Sequence, residues 1–321
     1  MDAPRQIAQA DPAFRHDVLA GLAARIPAVP ARWFYDRRGS ELFEAITRLP
    51  EYYLTRTETA LLERRCPEVA RIAGPGQAVV EFGSGASVKT RILLAAAAPS
   101  AYVPIDISGE FLRDAAASLA DDFPGLPVHP IEADFTHPIG LPAEIGALPR
   151  LGFFPGSTIG NMIPATGVDL LRAMRRTLGT GAWLLIGFDR VKDPAELLKA
   201  YDDEAGTTAD FNLNLLERIN RELGGDIPVD AFRHRAVWND RLSRIEMHLQ
   251  ATRDVGFEVS GRPFSIRSGE TIHTENSHKY GERDARLLLL AGEWTPVEEW
   301  TDEDGRFALV LARAEPERSA P

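Results

Sequence analysis

The spacing of apolar residues changes twice along this chain, and those changes divide it. From residue 16 to residue 73 the apolar positions recur at helical intervals. "HDVLAGLAARI" predicts a helix that Pro27 and Pro30 break. "SELFEAITRLP" predicts a second, with Ser40 placed to cap it, Phe43 and Ile46 on one face and Pro50 at its end. "TRTETALLERRCPEVARIA" predicts a third, capped by Thr55 or Thr57.

From Gln77 short apolar runs alternate with helical stretches. "AVVEFG", "YVPIDIS", "VHPIEADF", "RLGFFPGS" and "AWLLIGFD" read as strands, the third of them weak. "KTRILLAAAA", "GEFLRDAAASLADDF" and "GVDLLRAMRRTLG" between them read as helices, the last stopping at Gly179. Such alternation predicts an α/β fold, a doubly wound parallel sheet with helices on both faces. Residues 194–290 break the rhythm. "PAELLKAYDDEAGTTADFNLNLLERINRELGG" is helical, and "HRAVWNDRLSRIEMHLQATRDVGFEVSGRPFSIRSGE" suits antiparallel strands turning at Asn239-Asp240 and Ser260-Gly261. A helix in "ERDARLLLLAGEW" and a hairpin turning at Asp304-Gly305 then complete the edge of the first sheet. The expected division is 61–193 plus 283–321 for one domain and 16–60 plus 194–282 for the other.

The 321 residues carry 36 Lys and Arg against 47 Asp and Glu, a formal charge of −11. That balance opposes binding to nucleic acid or to anionic lipid. No apolar run is long enough to span a membrane and the N-terminus has no secretory pattern, so a cytoplasmic protein is expected. Cys66 is the single cysteine, so an intrachain disulfide is excluded; it reads as a small buried hydrophobe rather than a nucleophile. The seven histidines are scattered without tight ligand spacing, so no metal site is expected.

The candidate chemistry lies at strand tips. Glu81-Phe82-Gly83-Ser84-Gly85 turns from strand to helix at the carboxyl end of the sheet, where open α/β folds bind ligands. Glycine there lets backbone approach a ligand closely, although such a turn also forms for steric reasons alone. Asp106 ends the second strand, 25 positions after Glu81, near the offset at which a carboxylate accepts ribose hydroxyls. Asp134 ends the third; it can accept from an exocyclic amine while Phe135 lies against a purine. The dinucleotide pattern needs a third glycine where Val88 stands, and the glycine pattern of a P-loop is missing. A nucleoside without phosphates fits better, and S-adenosylmethionine is one. Lys89 can meet its carboxylate or remain a solvated helix residue.

A second set follows. Asn161, after the fourth strand, offers both donors and an acceptor; Tyr201 lies on a helix of the second region; Glu275, Asn276 and Ser277 are consecutive. Each alone is also compatible with a turn, a core tyrosine or a polar loop. Together with "WFYDRRGSELFEAITRLPEYYLTRTE", "EFGSGASVKTR", "FPGSTIGN", "AYDDEAGTTADFN", "RIEM" and "TENSHKY", they make the chain resemble the histidine Nα-methyltransferases of ergothioneine biosynthesis, from about Arg32 to the final hairpin.

The resemblance implies a Rossmann-like methyltransferase sheet with a second, α+β substrate-binding domain. It implies that Gly83, Lys89, Asp106, Asp134 and Phe135 bind S-adenosylmethionine. Asn161 and Tyr201 would hold the substrate carboxylate. Tyr52, Glu275 and Ser277 would surround the imidazole of L-histidine, with Tyr35, Met247 and Asn276 beside them. Gly156 and Thr158 would shape the floor near the amine. The resemblance assigns His278 no role, and no side chain a proton-transfer role, since orientation drives the reaction. The implied product is hercynine, made by a monomer. Relatives of the family act on other amino acids, including a tryptophan derivative. A nicotinamide-dependent oxidoreductase on the same sheet and an idle binding module are the remaining alternatives.

Overall fold

The computed structural model describes residues 11–84, 88–107 and 109–315. In chain order the helices are α1 (Pro12–Leu22), α2 (Arg37–Ile46), α3 (Tyr53–Ala73), α4 (Val88–Ala97), α5 (Gly109–Asp122), α6 (Pro164–Leu178), α7 (Pro194–Tyr201), α8 (Thr207–Leu223) and α9 (Glu282–Ala291). The strands are β1 (Ala78–Phe82), β2 (Ala101–Asp106), β3 (Ile131–Glu132), β4 (Arg150–Phe154), β5 (Trp183–Asp189), β6 (Phe232–Asn239), β7 (Arg244–Ala251), β8 (Val255–Val259), β9 (Arg262–Ile266), β10 (Thr271–His278), β11 (Trp294–Thr301) and β12 (Phe307–Ala314). The chain divides into two compact units, Met1–Tyr53 with Lys192–Ser277, and Leu54–Val191 with His278–Pro321. The first division falls seven residues before the expected 60/61, at the start of α3, because that helix is continuous from Tyr53.

The second unit is built on a seven-stranded sheet of order β11-β12-β5-β4-β1-β2-β3. Strands β1 to β5 run parallel, and β12 enters antiparallel to β5, with Leu309 opposite Gly187. The C-terminal hairpin therefore does extend the sheet. Every residue of β1 is buried, the mark of a parallel strand covered on both faces. Val80 and Phe82 join Val103, Ile105, Phe154 and Ile186 in one core cluster. Val79 points the other way, into a cluster with Leu61, Leu62, Leu93, Leu94 and Leu151. The weak third strand is only two residues long, so Asp134 lies two residues beyond its end rather than at its tip.

The first unit holds a three-stranded sheet, β10-β7-β6, and the β8–β9 ribbon. β6 and β7 pair antiparallel, Ala236 opposite Met247, around the turn expected at Asn239-Asp240. The β8–β9 turn places Ser260 and Gly261 at positive φ, the hairpin geometry that the Ser-Gly pair predicts. Two expected caps are corrected. Asp36, not Ser40, caps α2, accepting from the Gly39 amide at 2.7 Å; it starts the helix four residues earlier than expected. Asn214 and Arg221 also donate to it, and despite its burial these bonds hold its carboxyl below the usual range. Thr55 and Thr57 lie inside α3 and cap nothing. Among the described residues no helix is long and apolar enough to cross a membrane.

Candidate active site

In the second unit the turn after β1 is held from below. The amides of Gly83 and Ser84 both donate to the Ile105 carbonyl, at 2.9 and 3.1 Å. Gly83 sits at φ +75°, and a Cβ there would lie 3.6 Å from the Phe135 ring. The positive φ, which glycine adopts without cost, sets the backbone directly beside the aromatic ring. Phe135 packs edge-on against Phe82 and Phe154, at 6.3 and 6.0 Å, which fixes its plane. Asp134 accepts from the Thr136 amide and hydroxyl at 2.9 and 2.6 Å, which fixes its rotamer. Asp106 is the half-buried last residue of β2. Gly85, the second glycine of the motif, lies outside the described residues.

Glu81, near the end of β1, ties elements of the sheet together. It is buried, and accepts from Tyr102 at 2.6 Å and from Thr90 at 2.9 and 3.0 Å. It ties β1 to β2 and to the first turn of α4. Burial pushes its carboxyl up to about 7, against the opposing pull of the Tyr102 and Thr90 bonds and of the Lys89 charge.

Lys89 is not a solvated helix residue. Its ammonium meets Glu58 of α3 at 2.5 Å, with Glu58 fully buried. Both oxygens of Glu58 also accept from the Gly156 amide, each at 2.9 Å. One carboxylate therefore fixes the α4 lysine and the loop after β4. That loop turns through left-handed residues Gly156 (φ +80°) and Ser157 (φ +54°). A Cβ on Gly156 would approach the Thr158 hydroxyl to 3.3 Å. Thr158 donates to the Pro155 carbonyl at 3.0 Å and opens the single 3-10 turn that ends at Asn161.

The stretch after Ser277 supports the same loop. His278, to which the resemblance assigned no role, is buried and bonds the Gly160 carbonyl at 2.8 Å through Nδ1; a carbonyl only accepts, so Nδ1 carries the proton. Lys279 forms a wholly buried ion pair with Asp189 at 2.7 Å, and the Asp189 amide donates to Ser157 at 2.9 Å. Cys66 is buried in α3, and burial pushes its thiol up to about 12, which bears out the inert reading.

In the first unit three of the expected residues share one aromatic cluster. Tyr35 packs edge-on against Phe43 and Phe211, Tyr52 against Phe43 and Tyr201. The Tyr201 hydroxyl bonds Ser277 at 2.7 Å, buried. The buried and half-buried positions of β10 alternate as far as Thr274 and then slip at Glu275-Asn276, both half-buried, before Ser277. Met247 is buried on β7, and its carbonyl accepts from Thr274.

A residue not anticipated, Asn212 of α8, organises this sheet. Fully buried, it donates to His234 of β6 at 2.8 Å and to the His248 carbonyl of β7 at 3.1 Å, and accepts from Thr274 of β10 at 2.8 Å. His234 Nδ1 thus accepts, and Nε2 donates to the Tyr201 carbonyl at 2.8 Å. Burial lowers the His234 pKa, in keeping with this neutral tautomer. Asp203, whose carboxyl the Thr208 and Thr207 bonds hold low despite burial, anchors the start of α8 through both amides. The sheet also draws together Glu246, His248 and His273, whose ligating atoms lie within 4.8 Å of one another. Spacing in the sequence gives no sign of this, because strand pairing brings His273 to the other two.

A family model described as "Histidine-specific methyltransferase, SAM-dependent" matches residues 14–314. The histidine N-alpha-methyltransferase of Mycolicibacterium smegmatis is 42% identical over 306 residues, 94% of each chain. That of Mycobacterium tuberculosis is 41% identical over the same shares. Ergothioneine biosynthesis protein 1 of Neurospora crassa is 30% identical over 89% of this chain and 33% of its own length.

Proposed function

The chain belongs to the family of histidine-specific, S-adenosylmethionine-dependent methyltransferases, and from that premise we propose that it places three methyl groups on the α-nitrogen of L-histidine, giving hercynine. Its cofactor is S-adenosylmethionine, and its function is histidine methylation in ergothioneine synthesis. We further propose that it works as a cytoplasmic monomer.

The second unit's residues fit the cofactor. Asp106 would accept the ribose hydroxyls, Asp134 the adenine amine, Phe135 would cover the purine face, and Gly83 would leave room for the nucleoside. Lys89 keeps N–H donors beyond the one that Glu58 takes, and one of these would meet the cofactor carboxylate. When bound, S-adenosylmethionine supplies an electrophilic methyl on a sulfonium.

The remaining work is recognition and orientation. Asn161, in the second unit, and Tyr201, in the first, each carry a neutral group suited to a substrate carboxylate. The Tyr201 and Ser277 hydroxyls share a hydrogen bond of 2.7 Å. Glu275 would accept from one imidazole nitrogen and Ser277 serve the other, with Tyr52, Tyr35, Asn276 and Met247 around the ring. Gly156 and Thr158 would face the amine, which must lose a proton before it can attack; water can take it. Holding two reactants at attack distance recovers roughly 7–11 kcal/mol of barrier, so no general base is required of the protein. Tyrosine faces suit the cation that forms as methyls accumulate.

The buried hydrogen bond from Tyr201 of α7 to Ser277, which lies two residues from Glu275 on β10, is the observation that carries the histidine reading. The test is incubation with S-adenosylmethionine and each amino acid, read by mass spectrometry. Three successive methyl gains on histidine alone are expected. No gain on histidine, or an equal gain on tryptophan, would overturn the reading.

A further inference from the structure

The strand pairing of the first unit assembles a second constellation of ionisable groups. On β7, Ile245, Met247 and Leu249 are buried, while Arg244, Glu246 and His248 lie half-buried on the opposite face. His273 of β10 stacks on His248, ring centroids 4.8 Å apart and planes 22° from parallel. We propose that Glu246, His248 and His273 bind one divalent transition metal of the zinc, nickel and copper class.

The donor set is two imidazoles and one carboxylate on adjacent strands, a combination those ions favour. Each ligand is supported from behind. Arg244 and Asn239 hold Oε1 of Glu246, at 2.6 and 2.8 Å, leaving Oε2 turned to His248 at 3.2 Å. His273 donates Nε2–H to the Glu275 carbonyl at 2.9 Å, the arrangement by which metal-bound histidines are oriented. Nδ1 of His248 is buried with no hydrogen-bond partner among the described residues, so this ring has a lone pair or proton unsatisfied.

An ion held at about 2.0–2.1 Å from nitrogen needs the three donor atoms to close on one another by side-chain rotation. It would replace the His248–Glu246 hydrogen bond. Arg244, and Arg235 opposite His248, raise the cost of any cation. That cost selects against hard ions such as magnesium, which gain little from imidazole.

The test is isothermal titration of the metal-free full chain with zinc chloride, alongside the visible absorption of added cobalt. One equivalent of zinc per chain is expected, with cobalt bands of a nitrogen-ligated site and no response to magnesium. Glu246→Gln, His248→Gln and His273→Asn should each weaken binding at least about tenfold. His16→Ala, at an exposed histidine on α1, should leave it unchanged. Absence of saturable binding and of cobalt bands in the unsubstituted protein would overturn the proposal, whatever the variants do. Zinc binding of full strength in folded His248→Gln and His273→Asn would overturn it equally.

Discussion

The two units hold their candidate residues by different means. In the second, ions are buried: Glu58 fixes Lys89 and Gly156, and Asp189 pairs with Lys279 where neither is exposed. In the first, the work falls to neutral groups: the Asn212 amide joins three strands, and Tyr201 is held by Ser277 and His234. Buried charge tolerates the loss of a partner poorly, because the survivor is stranded. A buried amide or hydroxyl loses less. The cofactor half should therefore break sharply under substitution and the histidine half by degrees.

The hardest test of that contrast is Glu58→Ala. It leaves the Lys89 ammonium and the Gly156 amide without their acceptor, and should cost about 3–5 kcal/mol in urea unfolding. A loss no larger than that of a surface substitution would erase the contrast. Glu275→Ala comes next. Histidine kcat/KM should fall by about a hundredfold or more while S-adenosylmethionine affinity, measured by titration, stays as it was. Unchanged turnover would remove Glu275 from the proposed imidazole site. Asn212→Ala should cost about 1–3 kcal/mol, visibly less than Glu58→Ala in the same assay. Tyr201→Phe should raise the KM for histidine by roughly tenfold and leave the cofactor affinity alone.

The smallest effect is one of pH. Burial raises the Glu81 carboxyl to about 7, above its ordinary 4.5. Between those values the folded state binds a proton that the unfolded state has released, so stability falls as pH rises through that window. Near pH 7 the slope from this one group is under about 1 kcal/mol per pH unit. Glu81→Gln should remove that slope from thermal melts taken between pH 6 and 8. A slope that survives the substitution belongs to other groups.

Much of the sheet was legible because parallel strands buried on both faces are apolar almost throughout, and "AVVEF" and "WLLIGFD" are such runs. The glycine turn and the terminal hairpin were legible because each depends on residues adjacent in sequence. Long-range partnerships were harder to see. Glu58 did leave a trace: Leu54, Leu61, Leu62, Cys66 and Val69 mark the apolar stripe of α3, and a carboxylate within that stripe must have a partner. Asn212 left a fainter one, closing the quoted "TTADFN". The metal-ligand trio left none, since 25 residues separate His248 from His273 and only strand pairing joins them. Ser40 is the capping residue nearest to "ELF", but Asp36, four residues earlier, has the Gly39 amide within reach and takes the role.

The sealed thiol on α3 gives the protein a reporter of its own breathing. Cys66 has no thiolate to offer while the helix is closed, so a disulfide reagent can label it only during excursions that lift α3 from the sheet. With a single sulfhydryl in the chain, the labelling rate counts those excursions without ambiguity. Their dependence on added cofactor would register how firmly the helix bearing Glu58 is clamped.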